Sequence, residues 1–313
     1  MKSFPDFYSP CRLWEKDKKF WKYYYGSTYD AYQKYKISLE VAPPEYKIIF
    51  DDKEICQEIC DLKNIPIAKS HGMVDPNEDY RSKISGILKK GLLKTIIIKP
   101  TRGHAGIGIK LGKIVNNEIM IIEPNGESNS LNSFELKDRS IVQEMIEQIS
   151  EFSQVSSFSV NTIRTVTLLK RDGNVLMVGA HMRFSVKESF IDNWSAGGLA
   201  VGINLLKGYL VKYAFDKFGN RYEKHPLSGI YFENFKIPNW ESVYSFALKI
   251  QSQFPYLKML GLDIALTPKG PVILEINSDP DNILLEQTYG PILRNEQVKK
   301  AFEEYNLLVN NLN

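Results

Sequence analysis

Residues Leu260–Asn277, LGLDIALTPKGPVILEIN, are patterned as a β-hairpin that carries three oxygen donors, and this constrains the chain more than any other feature. Side chains of a strand alternate between faces, so Glu275 and Asn277 share one face while Leu274 and Ile276 pack behind them. Pro268-Lys269-Gly270 supplies the turn, which brings Asp263 opposite Glu275. Two carboxylates and an amide oxygen, without His or Cys, form a donor set for a hard cation such as Mg²⁺, which is normally shared with nucleotide phosphates. The same pattern also describes an ordinary hairpin with an acidic solvent face.

A second feature lies upstream. The β-branched run Thr95-Ile-Ile-Ile-Lys99-Pro100 delivers a lysine just before Gly103-His-Ala-Gly106-Ile-Gly108. Glycines let backbone N–H groups approach phosphate oxygens, and an ammonium group serves as a point charge. The P-loop pattern is absent, because no Gly-Lys-Ser/Thr closes the loop. Ile107–Leu111 and Glu118–Ile122 flank Asn116-Asn117, so the glycines are expected at the tip of a β-hairpin folded over phosphates.

A chain of 313 residues exceeds a single core, which implies two or three lobes sharing a cleft. The expected divisions are a helical extension over 1–45, a small lobe with the glycine loop over 46–140, and a large lobe with the metal site over 141–313. The net charge of +3, with both signs mixed along the chain, gives no footprint for nucleic acid. No long apolar run predicts a membrane span, and the start MKSFPD lacks the apolar centre of a signal peptide, so a cytoplasmic location is expected. Cys11, Cys56 and Cys60 lack metal-ligand spacing and are expected to be reduced structural thiols.

Along the chain, Tyr29–Tyr35 has helical character and Pro43-Pro44 closes that segment. An amphipathic helix opens at Asp51-Asp52-Lys53 and turns Ile55, Ile59 and Leu62 inward. Strands are expected at Ser140–Ile146, Ile163–Leu169, Val175–Phe184, Leu199–Ile203 and Tyr209–Phe215. Helices are expected at Trp240–Phe254 and Glu296–Leu308.

The ordered set Lys99, Gly103–Gly108, Gln143-Glu144-Met145-Ile146, Asp263 and Glu275-Ile-Asn277 resembles the ATP-grasp superfamily. Ser159-Val-Asn-Thr-Ile-Arg164, Asp192-Asn193-Trp-Ser-Ala-Gly197-Gly198, His225-Pro and Ile237-Pro-Asn-Trp240 are similar to its sugar-transfer-associated group, over about Pro43 to Asn282. The resemblance implies an α+β fold in which two α/β lobes sandwich ATP, here with a helical N-terminal extension and a reduced N-terminal lobe. Residue by residue, it implies that Lys99 binds phosphate and that Gly103, His104, Gly106 and Gly108 cover the phosphates. It further implies that Glu144, Met145 and Ile146 form the adenine hinge, with Glu147 reaching the ribose, and that Asp263, Glu275 and Asn277 hold Mg²⁺. His104 either touches phosphate or caps the turn. Arg164 and Arg183 are expected to line the cleft, where a guanidinium can clamp γ-phosphate or carboxylate; a surface ion pair is the competing reading. Asn193, Gly197, Gly198, Ser278 and Asp279 are candidate substrate contacts, and His181 is expected to be a satisfied strand histidine.

The activity implied is an ATP-dependent carboxylate–amine ligase that makes an amide through an acyl phosphate and releases ADP and phosphate. Its substrates would be a small carboxylate and an amine, possibly sugar-linked, in surface-polysaccharide assembly. Two rivals stand beside it: a phosphotransferase acting on a hydroxyl, with Asp279 as base, and a non-catalytic nucleotide-binding partner in a glycosyl-transfer complex.

Overall fold

The computed structural model describes residues 7–25, 38–90, 93–103, 106–192, 194 and 197–308. The expected helix at Tyr29–Tyr35, together with His104 and Asn193, lies outside them. Among the described residues the chain builds two antiparallel sheets, flanked by helices, around two hydrophobic clusters.

The strands and α-helices that follow are those whose bounds lie within the described residues. In chain order the helices are α1 (Pro44–Asp51), α2 (Lys53–Leu62), α3 (Tyr80–Lys90), α4 (Ser150–Val155), α5 (Trp240–Ser252), α6 (Ile283–Tyr289) and α7 (Glu296–Glu304). Strands β1 (Ser70–Val74), β2 (Thr95–Pro100), β3 (Lys110–Val115), β4 (Glu118–Ile122), β5 (Ser128–Ser130) and β6 (Ser140–Glu144) form the smaller sheet, in the order β1-β6-β2-β3-β4-β5. Strand β6 therefore crosses the expected boundary at residue 140 and belongs to this sheet. Tyr80, Ile84 and Leu88 of α3 pack on Ile96, Ile98, Ile119, Ile121 and Val142.

The larger sheet takes β7 (Ile163–Leu169), β8 (Val175–Phe184), β9 (Leu199–Ile203), β10 (Leu210–Phe215), β11 (Arg221–Tyr222), β12 (Met259–Thr267) and β13 (Gly270–Asn277). Its order is β11-β10-β9-β8-β7-β12-β13. Helix α5 buries Val243, Ala247 and Ile250 in the cluster that this sheet shares. Helix α6 lies against β8, β9 and β10, close enough that a Cβ at Gly179 would sit 2.5 Å from Leu285 Cδ1. The segment after α2 ties the lobes together: Ala68 N–H donates to Ile273 O at 3.1 Å, and Ile273 N–H donates to Pro66 O at 2.8 Å.

Pro43-Pro44 closes the preceding segment as expected, since helix at residues 38–41 ends before it, and Pro44 also opens α1, because the first helical position needs no N–H and tolerates the fixed φ of proline. One helical expectation is corrected. Helix α2 buries Cys56, Gln57 and Cys60, whereas Leu62 is 82% exposed. Cys56 and Cys60 carry the same four-residue spacing as Ile55 and Ile59, and a free thiol behaves as a small hydrophobe, so the helix rolls to place them inward. Asp52 caps α2 by accepting from Glu54 N–H at 3.0 Å, which separates it from α1.

Candidate active site

Strand register fixes the floor of the site. Gly202, His181, Arg164, Asp263 and Glu275 are successive partners across β9, β8, β7, β12 and β13, so they form one row on one face of the sheet. Arg164 Nε and Nη2 donate to the two oxygens of Asp263, the second at 2.9 Å. Arg183 Nη2 donates to Asp263 Oδ2 at 2.9 Å, while its Nε donates to Thr162 Oγ1 at 2.8 Å. Asp192 completes the group by accepting from Thr162 N–H at 2.9 Å and from the Thr162 hydroxyl.

These carboxylates differ in their electrostatics. Burial alone would push the Asp263 carboxyl up, but the Arg164 and Arg183 guanidiniums outweigh it and hold Asp263 well below the usual carboxylate range. Burial prevails at Asp192, whose pKa is raised despite Arg183 and the Thr162 hydroxyl. His181 is 2% exposed and, among the described residues, neither ring nitrogen has a hydrogen-bond partner. Burial, with Arg164 and Arg183 alongside, holds its pKa well below the ordinary histidine value. It is thus a neutral, unsatisfied histidine, and the expectation of a satisfied one is corrected.

A cavity of about 220 Å³ lies between the sheets. Arg164, Arg183, Asp263, Glu275 and Asn277 line it from the larger sheet, and Lys99, Gly103 and Gly106 from the β2–β3 connection. Glu144, Met145 and Ile146 line it where the chain leaves β6. Lys99 makes no hydrogen bond to a described residue; burial lowers its pKa and Glu275 opposes that shift. Glu147 and Gly108 do not line this cavity. Gly108, at φ +78°, instead borders a second cavity behind the loop, and a Cβ there would lie 2.7 Å from Pro100 Cγ. Ser278 and Asp279 line an adjoining chamber of about 270 Å³, where Lys47 Nζ meets Asp279 Oδ2 at 3.2 Å. Gly197 and Gly198 lie outside both.

Residues 33–301 match the sequence profile of the sugar-transfer associated ATP-grasp family. The chain belongs to this family. Its fold is the ATP-grasp fold, and comparison with curated proteins returns no match. Among solved structures, D-alanine-D-alanine ligase from Helicobacter pylori is 10% identical, with 89% of this chain and 69% of that chain covered and a TM-score of 0.47. D-alanyl-alanine synthetase A from Vibrio cholerae is 10% identical over 81% of this chain and 68% of that one, with a TM-score of 0.44. N5-carboxyaminoimidazole ribonucleotide synthetase from Thermotoga maritima is 12% identical over 76% of this chain, with a TM-score of 0.41, and only 44% of its own length is covered.

Two features of the ATP-grasp cleft escaped the sequence reading. Lys53, the first residue of α2, lines both the main cavity and the adjoining chamber and donates to Gly103 O at 3.0 Å. Leu274, expected behind the hairpin, lines the cavity instead. The cause is a β-bulge: Asp263 pairs with Glu275 and Ile264 with Ile273, leaving Leu274 without a partner and on the side of Glu275.

Donor chemistry for a hard cation is present. Glu275 and Asn277 both line the cavity from β13, two residues apart on the same strand. Among the described residues, no three His, Cys, Asp or Glu side chains are grouped to hold a metal ion, and the Asn277 amide oxygen is a further hard donor beside Glu275. Both oxygens of Asp263 are bound to guanidinium groups. For Asp263 to meet a cation, Arg164 must release one of them.

Proposed function

We propose that this protein is an ATP-dependent carboxylate–amine ligase, forming an amide and releasing ADP and phosphate. One observation carries the reading: Lys99, which makes no hydrogen bond to a described residue, shares a cavity between two sheets with Glu275, Asn277 and the paired guanidiniums of Arg164 and Arg183. Such a set suits a triphosphate, which needs cations on one side and oxygen donors for a metal on the other.

In this reading Glu275 and Asn277, joined by Asp263 when Arg164 releases it, hold Mg²⁺, which when bound neutralises phosphate charge and orients the phosphoryl group. Lys53 and Lys99 fix the phosphates from the smaller sheet, and the amides at Gly103 and Gly106 cover them. Backbone groups from Glu144 to Ile146 hold the adenine edge. Arg164 and Arg183 clamp the carboxylate that accepts the γ-phosphoryl group, giving an acyl phosphate that an amine displaces. Closure of the loop keeps water from the acyl phosphate. No protein nucleophile is needed. In this reading the substrates are an amino acid or another small carboxylate and a sugar, joined in surface-polysaccharide biosynthesis within the cytoplasm; the family's association with sugar transfer supports the sugar.

Incubation with ATP, Mg²⁺ and pooled amino acids and amino sugars tests this by mass spectrometry. The expected products are an amide, ADP and free phosphate, all lost in Glu275→Gln. A phosphorylated hydroxyl without an amide would replace the ligase with a phosphotransferase. ATP turnover unchanged in Glu275→Gln would remove the metal site.

A further inference from the structure

The N-terminal segment Phe7–Tyr25 packs against the larger lobe and lines neither the main cavity nor the adjoining chamber, and it is not used by the proposed reaction. It contains two 3₁₀ helices, Leu13–Glu15 and Lys18–Tyr23, and its Phe7, Cys11, Leu13 and Tyr24 form a small core against Ile283. Three contacts fix its position. Arg12 Nη1 donates to Gly219 O at 3.1 Å, Arg221 Nη2 meets Glu15 Oε2 at 2.6 Å, and the Arg294 guanidinium lies 4.7 Å from the Phe20 ring centre.

What this anchored segment turns outward is basic and aromatic. Lys16, Lys18, Lys19 and Lys22 are exposed, as are Lys217, Arg221 and Arg294 on the segments beneath it. Trp14 is 50% exposed and Phe218, in the turn that Arg12 holds, is 68% exposed. With Arg12, this side carries eight cations against Glu15, Asp17, Asp216, Asp281 and Glu286, a net +3, equal to that of the whole chain. The remainder of the protein is therefore neutral in sum, and the chain's excess of cations lies on this side.

We propose that this side docks on an anionic membrane surface. Lysines near a negatively charged leaflet are attracted within a Debye length, and Trp and Phe side chains insert at the headgroup level. A single-stranded nucleic acid would meet the same charge and stack on the same aromatic rings, and is therefore an outcome the test must separate. The attachment is peripheral: among the described residues no helix is long and apolar enough to cross a membrane.

Sedimentation of the full chain with vesicles of phosphatidylcholine alone, or mixed in equal parts with phosphatidylglycerol, tests the proposal. Binding is expected only to the mixed vesicles, is lost in high salt, and falls by about tenfold or more in the triple variant Lys18→Glu, Lys19→Glu, Lys22→Glu. The double variant Trp14→Ala, Phe218→Ser is expected to bind more weakly at the same charge. All of these positions are exposed, so thermal unfolding of the variants should match the parent and exclude misfolding. Absence of binding, equal binding to neutral vesicles, an unaffected triple variant, or binding to single-stranded RNA in preference to the mixed vesicles would each overturn it.

Discussion

Arg164 on β7 and Asp263 on β12 stand directly opposite each other, joined by two hydrogen bonds, and Arg183 places a third on the same carboxylate. Asp263 is 3% exposed, so this is a buried ion cluster rather than a surface pair. Such clusters contribute little net stability when complete but cost several kcal/mol when one partner is removed, because the charges left behind stay buried.

Asp263→Asn is therefore expected to destabilise the fold by about 3–5 kcal/mol in denaturant titration, more than loss of a surface bridge would. The pH dependence has a definite sign. The native pKa of Asp263 is depressed, so its contribution is complete above the unfolded carboxylate value of about 4 and is lost as pH falls through the native value. The parent should lose stability on acidification through a component absent from Asp263→Asn. A variant within about 1 kcal/mol of the parent would show that water reaches the two guanidiniums.

Lys99 predicts the opposite balance between stability and binding. Its ammonium is partly desolvated and no described residue hydrogen-bonds to it, which costs free energy in the ligand-free protein. Lys99→Met should leave the unfolding temperature unchanged or raised, while weakening ADP binding in calorimetry by about tenfold or more, the loss expected for one charged contact. Reduced stability with unchanged ADP affinity would assign Lys99 to the fold.

Strand alternation and turn residues made much of this site legible. The ends of β7, β8 and β9 and the pairing of Asp263 with Glu275 agree with the pattern, because period-two burial and a Pro-Lys-Gly turn act locally. Leu274 could not be placed, since a bulge depends on the register of the neighbouring strand and leaves no mark in the sequence. Lys53 left a usable signal: a cation at the first position of a helix sits against the positive end of the helix dipole, which calls for an anion nearby. The Asp263 ion cluster was hidden because Arg164 and Arg183 lie far from Asp263 in sequence and only the order β8-β7-β12 brings them together.

Gly108 and Gly126 provide a paired test of the glycine loop. Both have positive φ, but a Cβ at Gly126 meets open space whereas one at Gly108 would lie 2.7 Å from Pro100 Cγ, at the end of the strand that carries Lys99. Gly126→Ala should cost about 1 kcal/mol from backbone strain alone. Gly108→Ala should cost about 1–3 kcal/mol more, because the proline ring cannot move without shifting β2. Equal losses in thermal unfolding would show that Pro100 is free to give way.

Leu274 is the remaining test of the cleft's geometry. The bulge leaves it half-buried beside Glu275 on the cavity wall, while Ile273 and Ile276 stay in the core. Leu274→Ala thus removes apolar surface from the cavity and not from the interior. Ile276→Ala, on the same strand, should destabilise by about 2–5 kcal/mol through the void it leaves. Leu274→Ala should cost less than about 1 kcal/mol in stability yet weaken ADP binding several-fold, the effect of losing a few buried methyl groups against a ligand. If the stability losses ranked the other way, β13 would alternate without a bulge and Leu274 would lie in the core.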